Sequence, residues 1–407
     1  MIYDIPNLRH LRAFLAVAHH RRISAASEQV HLSQPAITQA IAKLEERLGV
    51  SLFDRRTEGV YTTQVGELFR MRVERMFDHL QNGVREATRL GPKKTTQGFG
   101  HFMQLLTSVQ LRALSAMMDA GNFSLAARSV GVSQPSIHRA ARDLERLSGI
   151  ELFIKSSEGI ELTRSAQALA QRVKLAFSEL NQGFTEIEEW LGRDVGLINI
   201  GSLPLARTHI LPTAINRMNA EKPLVKISVV DGPYDDLLHA LRHGELDFMI
   251  GALRDPVPIN DVVQESLLNA PLAVVARVGH PLTKKTNITR KQLAACSWAV
   301  PRLGAPTRTA FEDMFAGAED KPQNIIESSS LMLIRGLLLD SDRITLISSH
   351  QIFHEEKMGL LQQLPVQIPG TQRDIGVTVR DGWQPTATQK SFLEILRDVA
   401  AQVSKNK

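Results

Sequence analysis

Two groups of polar side chains, set 100 residues apart, have the types and spacing to bind another molecule. Ser33-Gln34-Pro35-Ala36, followed by Thr38 and Gln39, returns as Ser133-Gln134-Pro135-Ser136, followed by His138 and Arg139. Gln can pair with the edge of adenine, Arg with guanine, and a hydroxyl with either. Some twenty residues further on, each group is followed by cations suited to phosphate: Arg55 and Arg56 in the first, Lys155 in the second. Covalent chemistry has no comparable set. His19-His20 and the spaced pair His350 and His354 lack the Glu and third ligand of a metal-binding helix. Cys296 is the only cysteine and has no evident base. No catalytic residue, no metal and no cofactor is expected.

The elements that must position these groups are themselves written twice. From position 11 to 66 the offset of 100 holds without a gap, and roughly 20 of about 56 pairs are identical, which marks a duplicated module. Each copy opens with an amphipathic helix, carrying Leu8, Leu11, Phe14 and Leu15 in the first and Leu111, Leu114 and Met117 in the second. A short helix is expected to start near Ser24 and Ser124, with the serine as its cap. A turn follows at Val30-His31-Leu32 and at Val130-Gly131-Val132. The next helix begins at Ser33 or Ser133, with Pro in its first turn. Ile37, Ile41 and Leu44 face inward, as do Ile137 and Leu144, leaving Thr38, Gln39 and Lys43 or Ser136, His138, Arg139 and Arg142 outside. Leu52 to Thr63 reads as a two-stranded wing turning at Glu58-Gly59. Helix, turn and a helix with a polar outer face is a helix-turn-helix pattern, whose second helix enters the major groove. A bundle with solvated faces has the same local pattern. Long helices are expected from about Val65 to Leu90 and from about Ser165 to Leu191, with Gly91 to Gly98 as a linker.

The 407 residues suggest about three domains. No apolar run approaches a membrane span, and no secretory signal opens the chain, which points to the cytoplasm. The formal net charge of +5 lies wholly in residues 1–193, a mild indication of an anionic partner. After Gly192, short β-rich runs at 197–200, 225–230, 248–250, 272–276, 298–300, 344–347 and 375–379 alternate with helical stretches such as 235–242 and 388–403. That alternation indicates an α/β domain with largely parallel sheets.

Ala25-Ala26, Ser33-Gln34-Pro35-Ala36-Ile37, Leu44-Glu45, Leu48-Gly49, Leu52-Phe53, Arg55 and Thr63-x-x-Gly66 resemble the winged helix-turn-helix of LysR-type transcriptional regulators. The second copy resembles it too, with Ser148, Ser156 and Ala166 at the places of Leu48, Arg56 and Gly66. Gly201, Leu211-Pro212, Pro223, Leu241-x-x-Gly244-x-Leu246-Asp247 and His280-Pro281-Leu282 resemble the family's effector domain. The resemblance implies a multidomain fold: two tandem winged helix-turn-helix modules, then a periplasmic-binding-protein-like α/β domain of two subdomains. Module one with its long helix would span 1–90, module two 91–193 and the effector domain 194–407. The first subdomain would take 194–271 and 371–407, the second 272–370.

The resemblance also implies that Ser33, Gln34, Pro35, Ala36, Thr38 and Gln39, with Ser133, Gln134, Pro135, Ser136, His138 and Arg139, face double-stranded DNA. Family members normally carry one such module. Whether both copies read DNA, or one pairs subunits or grips backbone, stays open. In the family the helix behind the wing pairs two subunits, so a homodimer or homotetramer through these helices is expected; alternatively each stripe packs on its own module. Ligands of such α/β folds lie at strand ends and helix N-termini, which makes Ser202, Asp231, Thr307 and Ser329 effector candidates, with Arg308 and Arg335 as candidate carboxylate partners. The expected function is a sequence-specific regulator controlled by a small metabolite, for instance at a catabolic operon. The alternative is a metabolite-binding protein whose helical modules serve association only.

Overall fold

In the computed structural model the described residues are 5–91, 99–156, 159–193, 196–368 and 372–405. The chain forms two compact units that meet in sequence near residue 196. In the first unit the same series of elements occurs twice. The first copy contains α1 (Leu8–His20), α2 (Ile23–Val30), α3 (Gln34–Leu48), the hairpin β1 (Phe53–Arg56) and β2 (Gly59–Thr62), and the long α4 (Gln64–Leu90). After a short α5 (Phe99–Leu105), the second contains α6 (Ser108–Ala120), α7 (Phe123–Val130), α8 (Gln134–Ser148), the hairpin β3 (Phe153–Ser156) and β4 (Gly159–Leu162), and the long α9 (Arg164–Trp190).

Ser33 and Ser133 cap α3 and α8 by accepting from the amides of Ala36 and Ser136. The expected serine caps of the preceding helices do not form. Ser24 and Ser124 lie one residue inside α2 and α7, whose caps are Arg22, with no side-chain bond, and Asn122, which accepts from Leu125. Apart from Gly91, the expected linker lies outside the described residues. The unexpected α5 buries Phe102, and Arg12 of α1 donates to the carbonyl oxygens of Met103 and of Gln104, the latter at 3.0 Å. At seven residues, α5 is too short to show a period.

The two long helices pack on each other. Phe69, Val73, Met76, Leu80 and Val84 of α4 are buried with Leu169, Val173, Ala176, Leu180 and Ile187 of α9 in one core. The helices run antiparallel. A Cβ on Gly83 would come within 2.6 Å of the Arg172 Cβ, and one on Gly183 within 3.1 Å of the Arg72 Cβ. At Gly83 the Arg172 side chain leaves no room for a Cβ, and at Gly183 a Cβ would be a tight fit against Arg72. The pairing expected between subunits is therefore made inside one chain, and the reading that each stripe packs only on its own module does not hold.

Charges sit within this pair. Arg72, 4% exposed, donates to Glu186 at 2.9 and 2.5 Å, to Glu179 at 2.9 Å and to Gln182 at 2.7 Å. Arg75 reaches the other Glu179 oxygen at 2.8 Å, and His79 Nε2 lies 3.8 Å from it. Burial alone would raise the Glu179 carboxyl, but the approach of His79, the Arg75 hydrogen bond and the charges of Arg75 and Arg72 outweigh it and hold it at about 2. A depressed carboxyl stabilises the fold above its unfolded pKa, so this contribution is lost as pH falls from about 4.5 toward about 2.

The second unit contains β5 (Leu197–Ser202), α10 (Ile210–Glu221), β6 (Lys226–Asp231), α11 (Tyr234–Arg242), β7 (Phe248–Ala252), β8 (Val262–Arg277), α12 (Arg290–Ala294), β9 (Ser297–Val300), α13 (Pro306–Met314), β10 (Ile325–Glu327), α14 (Leu331–Leu339), β11 (Arg343–Ser348), α15 (Phe353–Lys357), β12 (Leu361–Gln363), β13 (Gln372–Arg380) and α16 (Ala387–Lys405). The strand order is β10-β9-β11-β8-β13-β7-β5-β6, with β12 on β8. The long β8 pairs with β13 along residues 262–271 and with β11 along 272–275, so it crosses between two halves with separate cores. Pairing is mixed rather than largely parallel, because β8 and β13 run against their neighbours. The first half of β8 and the short β10 and β12 carry no strong apolar run and are not expected from the sequence.

The equivalent arginines offer a test. Arg72 is buried with three acceptor side chains, whereas Arg172 is about a third exposed and reaches Glu86 at 3.4 Å. Arg72→Ala should lower unfolding free energy by about 3–5 kcal/mol, as for a broken buried pair. Arg172→Ala should cost about 1 kcal/mol or less. Urea unfolding of the two variants measures both, and equal losses would contradict this ranking.

Candidate nucleic-acid interface and effector cavity

In the first copy the outer face of α3 presents exposed Ser33, Gln34, Pro35 and Gln39, with Ala36 and Thr38 half-buried. The Thr38 hydroxyl donates to the Gln34 carbonyl at 3.1 Å. Ile37, Ala40 and Ile41 hold the opposite face against Ala13, Val17 and Ala26. Arg55 and Arg56 are exposed on β1, opposite Val60 and Gly59. The hairpin is tied at its base in the same way in both copies. Glu45 Oε1 accepts from the amides of Leu52 at 2.7 Å and Phe53 at 3.3 Å; Glu145 Oε1 accepts from Leu152 at 2.9 Å and Phe153 at 3.2 Å. A Cβ on Gly66 would lie 2.1 Å from the Leu52 carbonyl oxygen, which explains that glycine.

Two basic residues escaped the sequence reading. Arg21 and Arg22 are exposed in the turn between α1 and α2. Arg21 has φ +56°, and its carbonyl accepts from the Val60 amide of the hairpin at 2.9 Å. Its guanidinium and that of Arg56 lie over the Tyr61 ring, at 5.2 and 5.1 Å. This brings Arg21 and Arg56 together at one end of the module, with Arg22 and Arg55 next to them in sequence. The run His19-His20-Arg21-Arg22 was the available signal.

In the second copy Ser133, Gln134, Pro135, Ser136, His138 and Arg139 are all exposed. The His138 ring meets the Phe123 ring edge-on at 5.0 Å. Arg142 is half-buried, paired with Glu145 at 2.5 Å. Lys155 is exposed on β3. Gly121 and Asn122 stand where the first copy has Arg21 and Arg22. The first copy thus carries more cations on its turn and hairpin, where the second keeps Lys155 alone, and the second places Arg139 at the helix position of Gln39.

In the second unit a cavity of about 380 Å³ lies between the two halves, lined among others by Arg207, Thr208, Ser329, Ser330, Arg335 and Glu355. The Thr208 hydroxyl is buried with no hydrogen-bond partner among the described residues. Ser330 caps α14 by accepting from Leu333, so the N-terminus of that helix borders the cavity. Arg335 pairs with Glu355 at 3.1 Å and Arg207 with Asp231 at 3.5 Å. Of the expected effector residues, Ser329 lines the cavity. Ser202 is fully buried at the end of β5, its hydroxyl unpartnered, and its carbonyl accepts from Arg207. Asp231 is exposed and reaches the cavity only through Arg207. Thr307 lies in the first turn of α13, away from this lining. Arg308 is held by Glu312 and Glu327, each at 2.6 Å, and is not free for a ligand.

The family description "LysR substrate binding domain" matches residues 192–401, and "Bacterial regulatory helix-turn-helix protein, lysR family" matches both 8–67 and 109–167. The chain belongs to the LysR family of transcriptional regulators. It is 34% identical over 400 residues to the HTH-type transcriptional regulator GalR of Pseudomonas putida, covering 98% of each chain, so that alignment runs through both copies. It is 26% identical over 279 residues to the HTH-type transcriptional regulator PcaQ of Agrobacterium fabrum, 68% of this chain and 90% of that one. A full-length OxyR variant from Pseudomonas aeruginosa shares the fold, with a TM-score of 0.52 at 21% identity over 72% of this chain and 94% of that one. As a LysR-type regulator the protein binds DNA, answers to a small-molecule effector and forms oligomers; it is not an enzyme. Among the described residues no helix is long and apolar enough to cross a membrane.

Glu45 gives a test of how the hairpin is held. Glu45→Ala leaves two amides without their acceptor and should cost about 1–3 kcal/mol. Hydrogen exchange at the Leu52 and Phe53 amides should speed up, with the Leu152 and Phe153 amides unchanged. Unaltered exchange at Leu52 would show that another group holds the hairpin.

Proposed function

We propose that both copies are winged helix-turn-helix modules that contact DNA, spanning about 1–90 and 91–193, and that residues 194–407 form the effector domain. The observation that carries this is the repetition of the whole reading apparatus. Each copy has a Ser-capped helix with an exposed polar N-terminal half, and beside it a hairpin with an exposed cation. Ser33, Gln34, Pro35, Ala36, Thr38 and Gln39, and Ser133, Gln134, Pro135, Ser136, His138 and Arg139, would face the major groove. Arg55, Arg56 and Lys155 would meet phosphates, as would Arg21 and Arg22. Such contacts release counterions, so affinity should fall steeply with salt. Gln34→Ala or Thr38→Ala should cost about 1–3 kcal/mol at a selected site and relax the preference at one position. Arg55→Ala should weaken binding to all sequences alike and reduce the salt slope by about 1. A titration series over salt measures both, and unchanged binding in every variant would overturn the assignment.

For the effector we propose a small metabolite bearing a carboxylate. Its support is the α14 N-terminus, the unpartnered Thr208 hydroxyl and Arg207, all at one cavity. Carboxylate metabolites should raise the melting temperature of the chain, and Thr208→Val should diminish that rise. Equal stabilisation by neutral analogues would contradict the carboxylate.

A further inference from the structure

The contacts between α4 and α9 repeat under exchange of the copies. Arg72 meets Glu186, and its counterpart Arg172 meets Glu86. Gly83 faces Arg172, and Gly183 faces Arg72. When residue i of one copy meets residue j of the other, and j meets i, the two are related by a two-fold axis. His79 and its own counterpart Glu179 approach each other at 3.8 Å, which places the axis between them.

The sequences on this axis are not symmetric. A pair of two α9 helices would bring two buried Glu179 carboxylates face to face, and a pair of two α4 helices would bring His79 to His79 with Arg75 beside it. In the α4–α9 pair Glu179 instead meets Arg72, Arg75 and His79. The two copies have diverged into unlike, mutually complementary partners, and the apolar faces that would pair subunits are already buried.

The reading faces have diverged as well. Thr38 and Gln39 of the first copy correspond to His138 and Arg139 of the second. Gln suits adenine and Arg suits guanine. A two-fold protein pair meets the two-fold of the duplex, which orders its half-sites as an inverted repeat.

We propose that a single chain reads an inverted pair of unlike half-sites, the first copy taking one and the second copy the other. This rests on the DNA-reading role proposed above. It assigns Gln39 and Arg139 as determinants of different halves of one operator, and it makes the operator directional.

The test is selection of duplexes from a randomised pool by the full-length chain, followed by binding of Gln39→Ala and Arg139→Ala to the selected sequence and to its base variants. Both residues are exposed, so both variants should fold. The expected consensus is an inverted pair of different half-sites. Each variant should lose discrimination, by about 10-fold or more, at one half only and at opposite halves. Duplexes with either half-site duplicated should bind about 10-fold or more weakly. Identical half-sites, a direct repeat, or loss at both halves from one variant would overturn the inference and leave DNA reading intact. Failure to select any sequence would overturn the DNA-reading role itself.

Discussion

The burial of Arg72 between Glu179, Glu186 and Gln182 is the constraint on which the first unit depends. A guanidinium at 4% exposure survives only where its donors are satisfied. That requirement sets which faces of α4 and α9 meet and in which register. Gly83 then lets the helices close where a side chain would collide with Arg172, and Gly183 eases the equivalent approach to Arg72. Apolar contact between the helices supplies the bulk of the attraction, but it is non-directional. The charges choose the partner.

From that pairing the arrangement of the reading faces follows. Each module packs on the base of its own long helix, through Phe14 against Phe69 in the first copy and through Leu111 and Leu169 of the shared core in the second. On the DNA-reading role proposed above, a duplicated segment becomes a two-headed unit with approximate two-fold symmetry, free to evolve its halves apart. A homodimer lacks that freedom, because one mutation changes both heads. The replacement of Arg21, Arg22 and Arg56 by Gly121, Asn122 and Ser156, and of Gln39 by Arg139, is a difference of the kind this freedom permits.

Much of this was legible in the sequence for plain physical reasons. Ser33, Pro35 and the spacing of Ile37, Ile41 and Leu44 specify a helix start and its inner face locally, and the structure places them so. Ser24 reads as a cap for the same reason, but the helix starts one residue earlier because the chain turns at Arg21 in a left-handed conformation that no local pattern announces. The importance of Arg21 depends on the hairpin returning to its carbonyl, a contact across about forty residues of chain. That the α4 stripe pairs with α9 was beyond reach, since an apolar stripe states that it is buried and not by what. In the second unit the apolar strands were visible, whereas β10, β12 and the first part of β8 take their strand character from neighbours. The cavity brings Thr208 to Ser329 and Arg335, more than a hundred residues further on, and nothing local marks Thr208.

The most direct test of the central claim is whether α4 and α9 of the same chain pair. With Cys296→Ser as background, Glu86→Cys and Arg172→Cys place thiols across α4 and α9 while leaving Arg72 and Glu179 intact, and mild oxidation or a short bis-maleimide links those within reach. Intramolecular pairing predicts a linked species that runs as a single chain on a denaturing gel at every protein concentration. Linked dimers that dominate, and increase with concentration, would show that the long helices pair between chains and would contradict it.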